Sequence, residues 1–593
     1  MNKALRAMWL VLTMSVRVSP WQTVIAFFET LASGLQALQP LFMAWFVAGA
    51  ITHDTRQMVI AVACFGGLIG IVTMLMLIGT TARINQRERV GFAFDSEIAH
   101  LTATIPTLDH LESAKYLDEL QALRDQQNSL GNALNMVFNV LKMVLFAVGT
   151  IALAATADWR LLLLAVAGLP NLISQKWLIP WQAAAEKQAA EPGRLTTHLM
   201  DLGTGAEGAA EVRVFGIQGP IHERLRDAVG TWRAPWVWLS KRNSAVETGT
   251  SLIFYLSVAA VLSWMVHDAL AGRVSVDTLV LAIVLIGRLQ GVSDQFAWAV
   301  RMLTETVRTT NRFVWLRDYA AEVWAAHPGT GVAPTRLTSG IRTDNLTYHY
   351  VDAETPSLDG VTLDLPAGSV VALVGENGAG KSTLVKLLTG MYQPTDGRVM
   401  VDGTDLASLD LARWRTRCAG AFQDYAKFEF TARESVGVGA LAHVNDQVMV
   451  ERALRDGAAE DVLRALPNGL SSQLGTSWPD GVELSGGQWQ RLAIGRGMMR
   501  EEPLLLVLDE PTAALDAATE HALFERYASA AREARRRGAV TLLVTHRFST
   551  VAAADLVVVL DKGRVAEVGT HTELMAAGGH YAELYELQAR GYR

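Results

Sequence analysis

The feature that constrains this chain most is the run Met58–Ala82, which contains no charged residue. A bilayer has an apolar core about 30 Å thick, and a helix needs roughly 20 apolar residues to cross it. Helices of soluble proteins normally keep a polar face, and this run has none. The run therefore predicts a helix that spans a membrane.

Five other stretches meet or approach this length with at most one charged residue each: Trp21–Ala50, Leu134–Ala157, Leu161–Trp181, Thr248–Val266 and Val276–Gly287. The helical pattern of the last one continues towards Val300. Half of the chain is apolar and 19% is charged, which excludes a disordered protein and is unusual for a soluble one. We predict an α-helical membrane domain with six transmembrane helices over residues 1–326.

The positions of Lys and Arg predict the orientation of these spans. Short connections hold one arginine each (Arg56, Arg160, Arg273), whereas the long connections Arg83–Gly131 and Ala183–Glu247 hold many basic residues. We therefore expect a multi-pass protein of the cytoplasmic membrane with both long connections and both termini in the cytoplasm. The amphipathic pattern of the long connections predicts that the helices extend beyond the membrane.

The segment Asn2–Val18 mixes basic and apolar residues, so it could be a signal peptide or a helix at the membrane surface. It has no small-residue cleavage site and runs directly into a full span. These features favour an uncleaved interfacial helix.

Residues 327–337 are rich in Pro and Gly and predict a linker to a second domain, residues 338–593. This domain alternates short β-branched runs with helices, which indicates an α/β fold. The apolar run Val370–Val374 predicts a buried strand, and it is followed at once by GENGAGKST, Gly375–Thr383. A strand, this loop and a helix form the context that a phosphate-binding P-loop requires.

Each residue type in the loop has a role in holding phosphates. Gly375, Gly378 and Gly380 let backbone N–H groups converge on them, and the helix N-terminus adds a partial positive charge. Lys381 is expected to reach the β- and γ-phosphates, and the Ser382 hydroxyl is expected to ligate Mg²⁺. The remaining predicted nucleotide contacts in this loop are Asn377 and Thr383.

A second predicted strand, Leu504–Leu508, ends in Asp509 and Glu510. A carboxylate at the end of a buried strand is costly unless it meets a cation, so Asp509 is the expected Mg²⁺ partner. Glu510 is placed to orient or deprotonate an attacking water. Taken alone, the pair could be ordinary surface acids, but the P-loop favours catalysis.

Between these motifs lies LSGGQ, Leu484–Gln488, and with it the chain resembles an exporter-type ABC transporter, in which six membrane helices and one ATPase domain share a polypeptide. The motifs occur in the order that is typical of the family. The resemblance implies bound ATP and Mg²⁺. It also implies that one segment contacts the γ-phosphate held by the other subunit: Ser485, Gly486, Gly487 and Gln488.

The resemblance implies four further site residues. Tyr350 matches the aromatic residue that stacks on adenine, although it could also be a core tyrosine, since Tyr348 is close by. Gln423 matches the glutamine that touches Mg²⁺ and links the ATPase to the membrane domain. His546 matches the histidine that contacts the γ-phosphate, and Asp516 matches the aspartate that communicates across the dimer.

Two segments resemble the short coupling helices that sit on ATPase domains in this family, near Asp109–Leu120 and Gly205–Gly216. Ordinary amphipathic packing is the alternative for both. One departure from the family pattern is Pro479, which stands near the position of an expected Glu, so coupling through that loop stays open. The QWQR sequence after the signature is similar to bacterial peptide and antibiotic exporters.

These expectations combine into an ATP hydrolase that exports a peptide, an antibiotic or drug-like compound or a lipid-like substrate by alternating access. An importer built on the exporter fold, such as a siderophore uptake system, is one alternative. An ABC ATPase with no transport role is another, and six spans argue against it. Membrane lipid and the cargo molecule are expected binding partners of the chain.

The complete motif set favours a homodimer, because pairing the chain with itself would give two intact ATP sites. A related half-transporter remains possible as partner. Nucleic acid is not an expected partner, because the chain has a net charge of −7 and no basic block.

One charged residue within the spans suggests a cargo contact. Charges inside spans are costly and tend to face a cavity or a partner. We hypothesise that Glu29 lines the transport path with Lys142 or Asp294 and favours a cationic or hydrogen-bonding cargo. The alternative is that Glu29 is hydrated or paired.

Overall fold

The computed structural model describes residues 3–205, 208–351, 353–509, 535–536, 538–545 and 551–591. The chain forms two compact units. The first, here called the helical unit, comprises Met1–His100 and Leu120–Leu316, and the second, the α/β unit, comprises Leu101–Glu119 and Arg317–Arg593. This division places the tip of the first long connection in the α/β unit.

Thirteen α-helices precede the first strand in the described part of the chain: α1 Lys3–Val18, α2 Pro20–Gly34, α3 Gln39–Thr52, α4 Thr55–Thr104, α5 Asp109–Glu112, α6 Ala114–Asp125, α7 Gln127–Gly131, α8 Ala133–Ala157, α9 Leu161–Ala167, α10 Leu169–Thr204, α11 Ala209–Val214, α12 Gln218–Leu270 and α13 Val276–Ala326. Six helical segments among them are long and apolar enough to cross a membrane: Pro20–Thr52, Thr55–Thr104, Ala133–Ala157, Leu161–Thr204, Gln218–Leu270 and Val276–Ala326. The six predicted spans are confirmed.

Several of these helices are much longer than a bilayer requires. Helix α4 has 50 residues, α12 has 53 and α13 has 51. At 1.5 Å per residue each is about 75 Å long, more than twice the thickness of the apolar core. The predicted helical extension of the spans into the long connections is therefore confirmed.

The α/β unit holds ten described strands: β1 Gly340–Tyr348, β2 Leu358–Pro366, β3 Val370–Val374, β4 Asp396–Val401, β5 Thr404–Asp405, β6 Cys418–Ala421, β7 Leu505–Asp509, β8 Val540–Val544, β9 Leu556–Asp561 and β10 Arg564–Gly569. They form two sheets, one of order β2-β1-β4-β5 and one of order β10-β9-β3-β8-β7-β6. In the second sheet β9, β3, β8, β7 and β6 run parallel, and β10 is antiparallel at one edge. Because parallel strands share one carboxyl edge, this edge is where a ligand is expected.

The remaining described helices are α14 Lys381–Leu388, α15 Leu411–Thr416, α16 Ala432–Gly437, α17 Gln447–Asp456, α18 Glu460–Ala465, α19 Gly486–Met498, α20 His571–Ala577 and α21 His580–Gly591. Helices α16 to α19 share a core of their own around Val436, Val450 and Trp489. Helix α19 also packs on the second sheet, where Ile494 contacts a cluster that includes Ala419. This helical layer therefore holds the LSGGQ segment beside the parallel sheet.

Candidate functional site

The P-loop follows β3 at the carboxyl edge of the parallel sheet. A Cβ at Gly375 would lie 2.3 Å from the carbonyl oxygen of Leu560, so the backbone approach there requires glycine. Gly380 has φ of 98° in the left-handed region, and a Cβ there would lie 2.7 Å from the carbonyl oxygen of Ser357. The loop thus turns tightly enough for its N–H groups to converge at the start of α14.

Lys381 begins α14 and is buried, with only 7% of its surface exposed. Its Nζ donates to the carbonyl oxygens of Gly375 and Glu376 at 2.8 and 2.9 Å. The ammonium therefore lies inside the loop, where phosphate oxygens could replace these carbonyls as acceptors. Ser382 is exposed at the same helix end, and Asn377 is exposed in the loop, so both can reach a ligand.

Tyr350 lies beside the P-loop. Its hydroxyl is 3.1 Å from the Thr383 hydroxyl, which also bonds the Ser357 hydroxyl at 2.9 Å. Tyr348 is the buried tyrosine of this pair, and its ring stacks on Tyr392. Tyr350 is only partly buried, so it presents aromatic surface next to the loop, as adenine stacking requires.

Two further predicted residues lie at the same edge of the sheet. Asp509 ends β7, is 6% exposed and pairs in register with Val544 of β8. Gln423 is exposed and follows the end of β6 by two residues. Strand order therefore brings the P-loop, Asp509 and Gln423 together, which is an oxygen-rich set of the kind that Mg²⁺ prefers.

Three predicted residues, Glu510, Asp516 and His546, lie outside the described residues. Glu510 directly follows β7, and His546 comes two residues after the end of β8. Their predicted roles therefore stay predictions.

The LSGGQ segment forms the N-terminus of α19. Ser485 is the N-cap, its hydroxyl accepts from the Gln488 N–H, and the Gln488 side chain accepts from the Ser485 N–H at 2.8 Å. Ser485 and Gly486 are exposed, while Gly487 and Gln488 are partly exposed. This is a fixed helix N-terminus open to an anion, as the resemblance implies.

One contact beside the site could not be predicted from the sequence. The Tyr425 hydroxyl donates to the Gly486 carbonyl oxygen at 2.9 Å, so it joins the Gln423 segment to the start of α19. The two residues are 61 positions apart in the chain. No spacing rule reveals such a contact.

Comparisons with known proteins agree with this geometry. A family model described as ABC transporter matches residues 358–513. An ATP-dependent lipid A-core flippase of Chromohalobacter salexigens is 31% identical over 464 residues, 77% of this chain and 76% of that protein. The chain belongs to the ABC transporter family.

Two further relatives and one solved structure are also similar to this ABC protein. A flippase of the same description from Aromatoleum aromaticum is 32% identical over 78% of this chain and 74% of its own length. One from Cupriavidus pinatubonensis is 42% identical, but the match spans only 44% of this chain and 42% of that protein. A solved structure of a bacterial Atm1-family ABC exporter with ATP bound has a TM-score of 0.74 at 22% identity, covering 97% of this chain and 99% of that one.

These findings confirm the resemblance and the predicted fold class. The chain is an exporter-type ABC half-transporter, an ATPase coupled to transport and a multi-pass protein of the inner membrane. The curated flippase relatives do not favour the importer alternative.

The first predicted coupling segment contains the short helix α5 and contacts the ATPase fold directly within the α/β unit. The Tyr348 hydroxyl donates to Asp109 at 2.7 Å, and the Tyr392 hydroxyl donates to Glu112. Lys386, on the P-loop helix, lies 3.1 Å from the Glu112 carboxylate. Burial, and then the acceptor carboxylate, raise the pKa of both tyrosines, so both remain protonated donors.

The second predicted coupling segment contains α11 in the helical unit. Val214, the last residue of α11, and Phe215 directly after it have apolar side chains, and the two residues are 79% and 69% exposed. Docking on an ATPase domain stays a prediction for this segment. Pro479 lies in an exposed turn in which Gly481 N–H donates to the Trp478 carbonyl oxygen.

The structure shows the partners of Glu29. Glu29 is 5% exposed and pairs with Arg83 and, at 3.8 Å, with Lys142. Asp294 instead accepts from the Asn171 side chain at 3.0 Å. Glu29 is therefore paired, as the alternative predicted, and its place in the transport path stays a prediction.

Proposed function

We propose that this chain is a homodimeric ATP-driven exporter that moves a lipid-like amphiphile away from the cytoplasmic leaflet of the inner membrane. The observation that carries the cargo class is the match to the Chromohalobacter salexigens protein, whose name describes a lipid A-core flippase. Its 464 aligned residues exceed the whole of residues 338–593, so the match extends into the membrane-spanning half.

We propose a role for each residue at the carboxyl edge of the sheet. Lys381 and the loop N–H groups would hold the β- and γ-phosphates. Ser382, Gln423 and Asp509 would ligate Mg²⁺, which neutralises phosphate charge during phosphoryl transfer. The tight turns at the loop glycines and the buried Lys381 within the loop fit a bound nucleotide phosphate.

The catalytic step would fall to two residues that follow the strands. Glu510 would orient the attacking water and accept its proton, and His546 would donate a hydrogen bond to the γ-phosphate. The residues Ser485–Gln488 of the second copy would close over the same phosphate. ATP thereby favours the closed pair of ATPase domains, and this differential affinity is what can drive the membrane helices.

Stimulation of ATPase activity by candidate cargoes tests the cargo class. The full chain is reconstituted in phosphatidylcholine nanodiscs and titrated with a glycolipid, a cationic drug-like amphiphile and a hydrophilic peptide. We expect the glycolipid alone to raise the hydrolysis rate severalfold, because only a bound cargo shifts the conformational equilibrium.

Lys381→Ala serves as the control for contaminating ATPases and should remove all stimulated hydrolysis. Stimulation by the peptide with no response to the glycolipid would show that the cargo class is wrong while leaving the ATPase assignment intact.

A further inference from the structure

Three tyrosine rings connect the P-loop to the first coupling segment, all within the α/β unit. Tyr348 ends β1, Tyr350 follows it by two residues, and Tyr392 lies beyond the end of α14. Tyr348 and Tyr392 are buried, and their rings stack with centroids 4.9 Å apart. Tyr350 meets both rings edge to face, with centroids 5.1 Å from Tyr348 and 5.7 Å from Tyr392. The three rings therefore form one packed group, here called the tyrosine cluster.

One end of the tyrosine cluster lies beside the nucleotide site. Tyr350 is its partly exposed member, and its hydroxyl is 3.1 Å from the hydroxyl of Thr383 in the P-loop. A base that stacks on Tyr350 would press on one side of this ring, while Tyr348 and Tyr392 contact the other members of the group. Because closely packed groups transmit small displacements, the position of the buried rings then depends on whether a base is bound.

The other end of the tyrosine cluster holds α5. The Tyr348 hydroxyl donates to Asp109 at 2.7 Å, and the Tyr392 hydroxyl donates to Glu112. Asp109 and Glu112 are the first and last residues of α5. The two buried rings therefore fix both ends of this short helix on the ATPase fold.

The phosphates have a separate route to the same helix. Lys386 lies on α14, which begins at Lys381, and its ammonium is 3.1 Å from Glu112 and 3.2 Å from the Tyr392 hydroxyl. A bound triphosphate chain can act on Lys386 through α14 alone. A path through Tyr350 requires a base as well.

We propose that Tyr348 and Tyr392 are positioning residues that make the docking of α5 respond to the base of the bound nucleotide and not only to its phosphates. This link rests on the proposed function, since it takes ATP to be the nucleotide, with its adenine on Tyr350. A base on Tyr350 holds the tyrosine cluster together and keeps both hydroxyl groups aimed at the carboxylates of α5. A triphosphate chain without a base leaves the Tyr350 ring free to move.

Hydrogen exchange on the full chain in phosphatidylcholine nanodiscs tests this link and needs no cargo. The reporter is the amide of Leu108, directly before α5, which donates to the Met391 carbonyl oxygen at 2.9 Å. The probes are adenylyl imidodiphosphate and inorganic tripolyphosphate, each with Mg²⁺ and at concentrations that fully displace a fluorescent ATP analogue. We expect the nucleotide to slow exchange at Leu108 about two- to tenfold more than tripolyphosphate does, the range for one aromatic contact.

Tyr348→Phe keeps the ring and removes the hydroxyl that reaches Asp109. It should abolish the difference between the two probes while the affinity for the nucleotide stays unchanged, a combination that a merely structural role would not produce. Tyr392→Phe should reduce the difference in the same way. Tyr581→Phe is the matched control and should change nothing, because it removes another buried tyrosine hydroxyl, 2.8 Å from His571 Nδ1. An unchanged elution profile and Tm confirm the folding of each variant.

Equal protection of Leu108 by the two probes in the wild type overturns the link, as does a difference that persists in both Tyr348→Phe and Tyr392→Phe. Tyr350→Leu should weaken binding of the nucleotide and leave binding of tripolyphosphate unchanged. Normal nucleotide binding by Tyr350→Leu would overturn the adenine site on which the link rests. If protection depends on the base but no glycolipid stimulates hydrolysis, the link stands and the proposed cargo class is wrong.

Discussion

The Glu510 carboxylate follows Asp509 at the carboxyl edge of the parallel sheet, where we expect it to orient water against the γ-phosphate. Glu510→Gln keeps the shape of the side chain and removes the base. We predict retained ATP binding with hydrolysis slowed by about a hundredfold or more, measured by phosphate release and by nucleotide titration. Glu451→Gln, at a partly exposed position of α17, is the matched control, and hydrolysis by Glu510→Gln within about threefold of wild type would rule out this role.

Asp402 holds the turn before β1. Its carboxylate accepts from the backbone N–H groups of Thr338, Ser339 and Gly340 at 2.8, 2.8 and 2.9 Å. Burial raises the pKa of Asp402, but these N–H donors outweigh it, so the pKa lies below its ordinary value. The stabilisation is therefore present above about pH 4 and is lost as the pH falls through the folded-state pKa.

We predict that Asp402→Asn lowers the free energy of unfolding by about 1 kcal/mol at pH 7, a small value because the group is partly solvated. The measurement is the Tm of the detergent-purified full chain at several pH values. The Tm difference between wild type and variant should shrink below about pH 4, and a difference that grows there would contradict the account.

At the residue scale, the sequence predicted those features that depend only on a short stretch of chain. Val370–Val374 is a strand because a short apolar run is bounded by the glycine of the P-loop, and the structure has β3 at those residues. The partners of Glu29 were harder to predict. Lys142 was named but Arg83, 54 residues away in sequence, was not, because a contact between two helices leaves no mark in either segment.

At the element scale, Glu112 ties α5 to the ATPase fold by two contacts, an ion pair with Lys386 of the P-loop helix and a hydrogen bond from Tyr392, which lies beyond the end of that helix. We predict that this element transmits cargo binding to the ATPase site. Glu112→Gln and Lys386→Met should each lower cargo-stimulated hydrolysis severalfold, and the reversed pair Glu112→Lys with Lys386→Glu should restore part of it, as expected for a direct interaction.

The exposed ion pair Asp344–Arg398, which joins β1 and β4, gives the control for this cycle. Its N–O distance of 3.0 Å is similar, and neither residue belongs to α5, so Asp344→Asn should not affect coupling. Strict additivity of the Glu112 and Lys386 substitutions would show that the contact carries no coupling.

Element types were predictable, but element ends and tips were less so. The apolar run Met58–Ala82 marks a span, yet α4 continues to Thr104 because no proline or capping signal interrupts its amphipathic continuation. The link between α5 and the ATPase fold joins residues 239 and 280 positions apart, which only the tertiary fold brings together.

At the scale of the whole molecule, the proposed exporter needs two copies of the chain. In the proposed homodimer, one chain would supply Lys381, Asp509 and Glu510 for a site and Ser485–Gln488 for the site of its partner. We predict that Lys381→Ala and Ser485→Arg chains are each inactive alone and regain partial ATPase activity when co-expressed, because a mixed pair contains one intact site.

Activity of the mixed sample is measured after tandem purification on two different tags, so that only mixed pairs are counted. Activity equal to that of the separate variants would contradict the homodimer, as would wild-type activity that appears only after a different half-transporter is added.

The most direct test of the account is lipid movement in sealed proteoliposomes whose ATPase domains face outwards. A fluorescent glycolipid phosphate is placed in both leaflets, Mg·ATP is added outside, and the outer-leaflet fraction is followed with a membrane-impermeant quencher. The account predicts that ATP moves the lipid from the outer, cytoplasm-equivalent leaflet to the inner one, with no movement in Glu510→Gln. ATP-driven movement in the opposite direction, or none while ATP is hydrolysed, would contradict it.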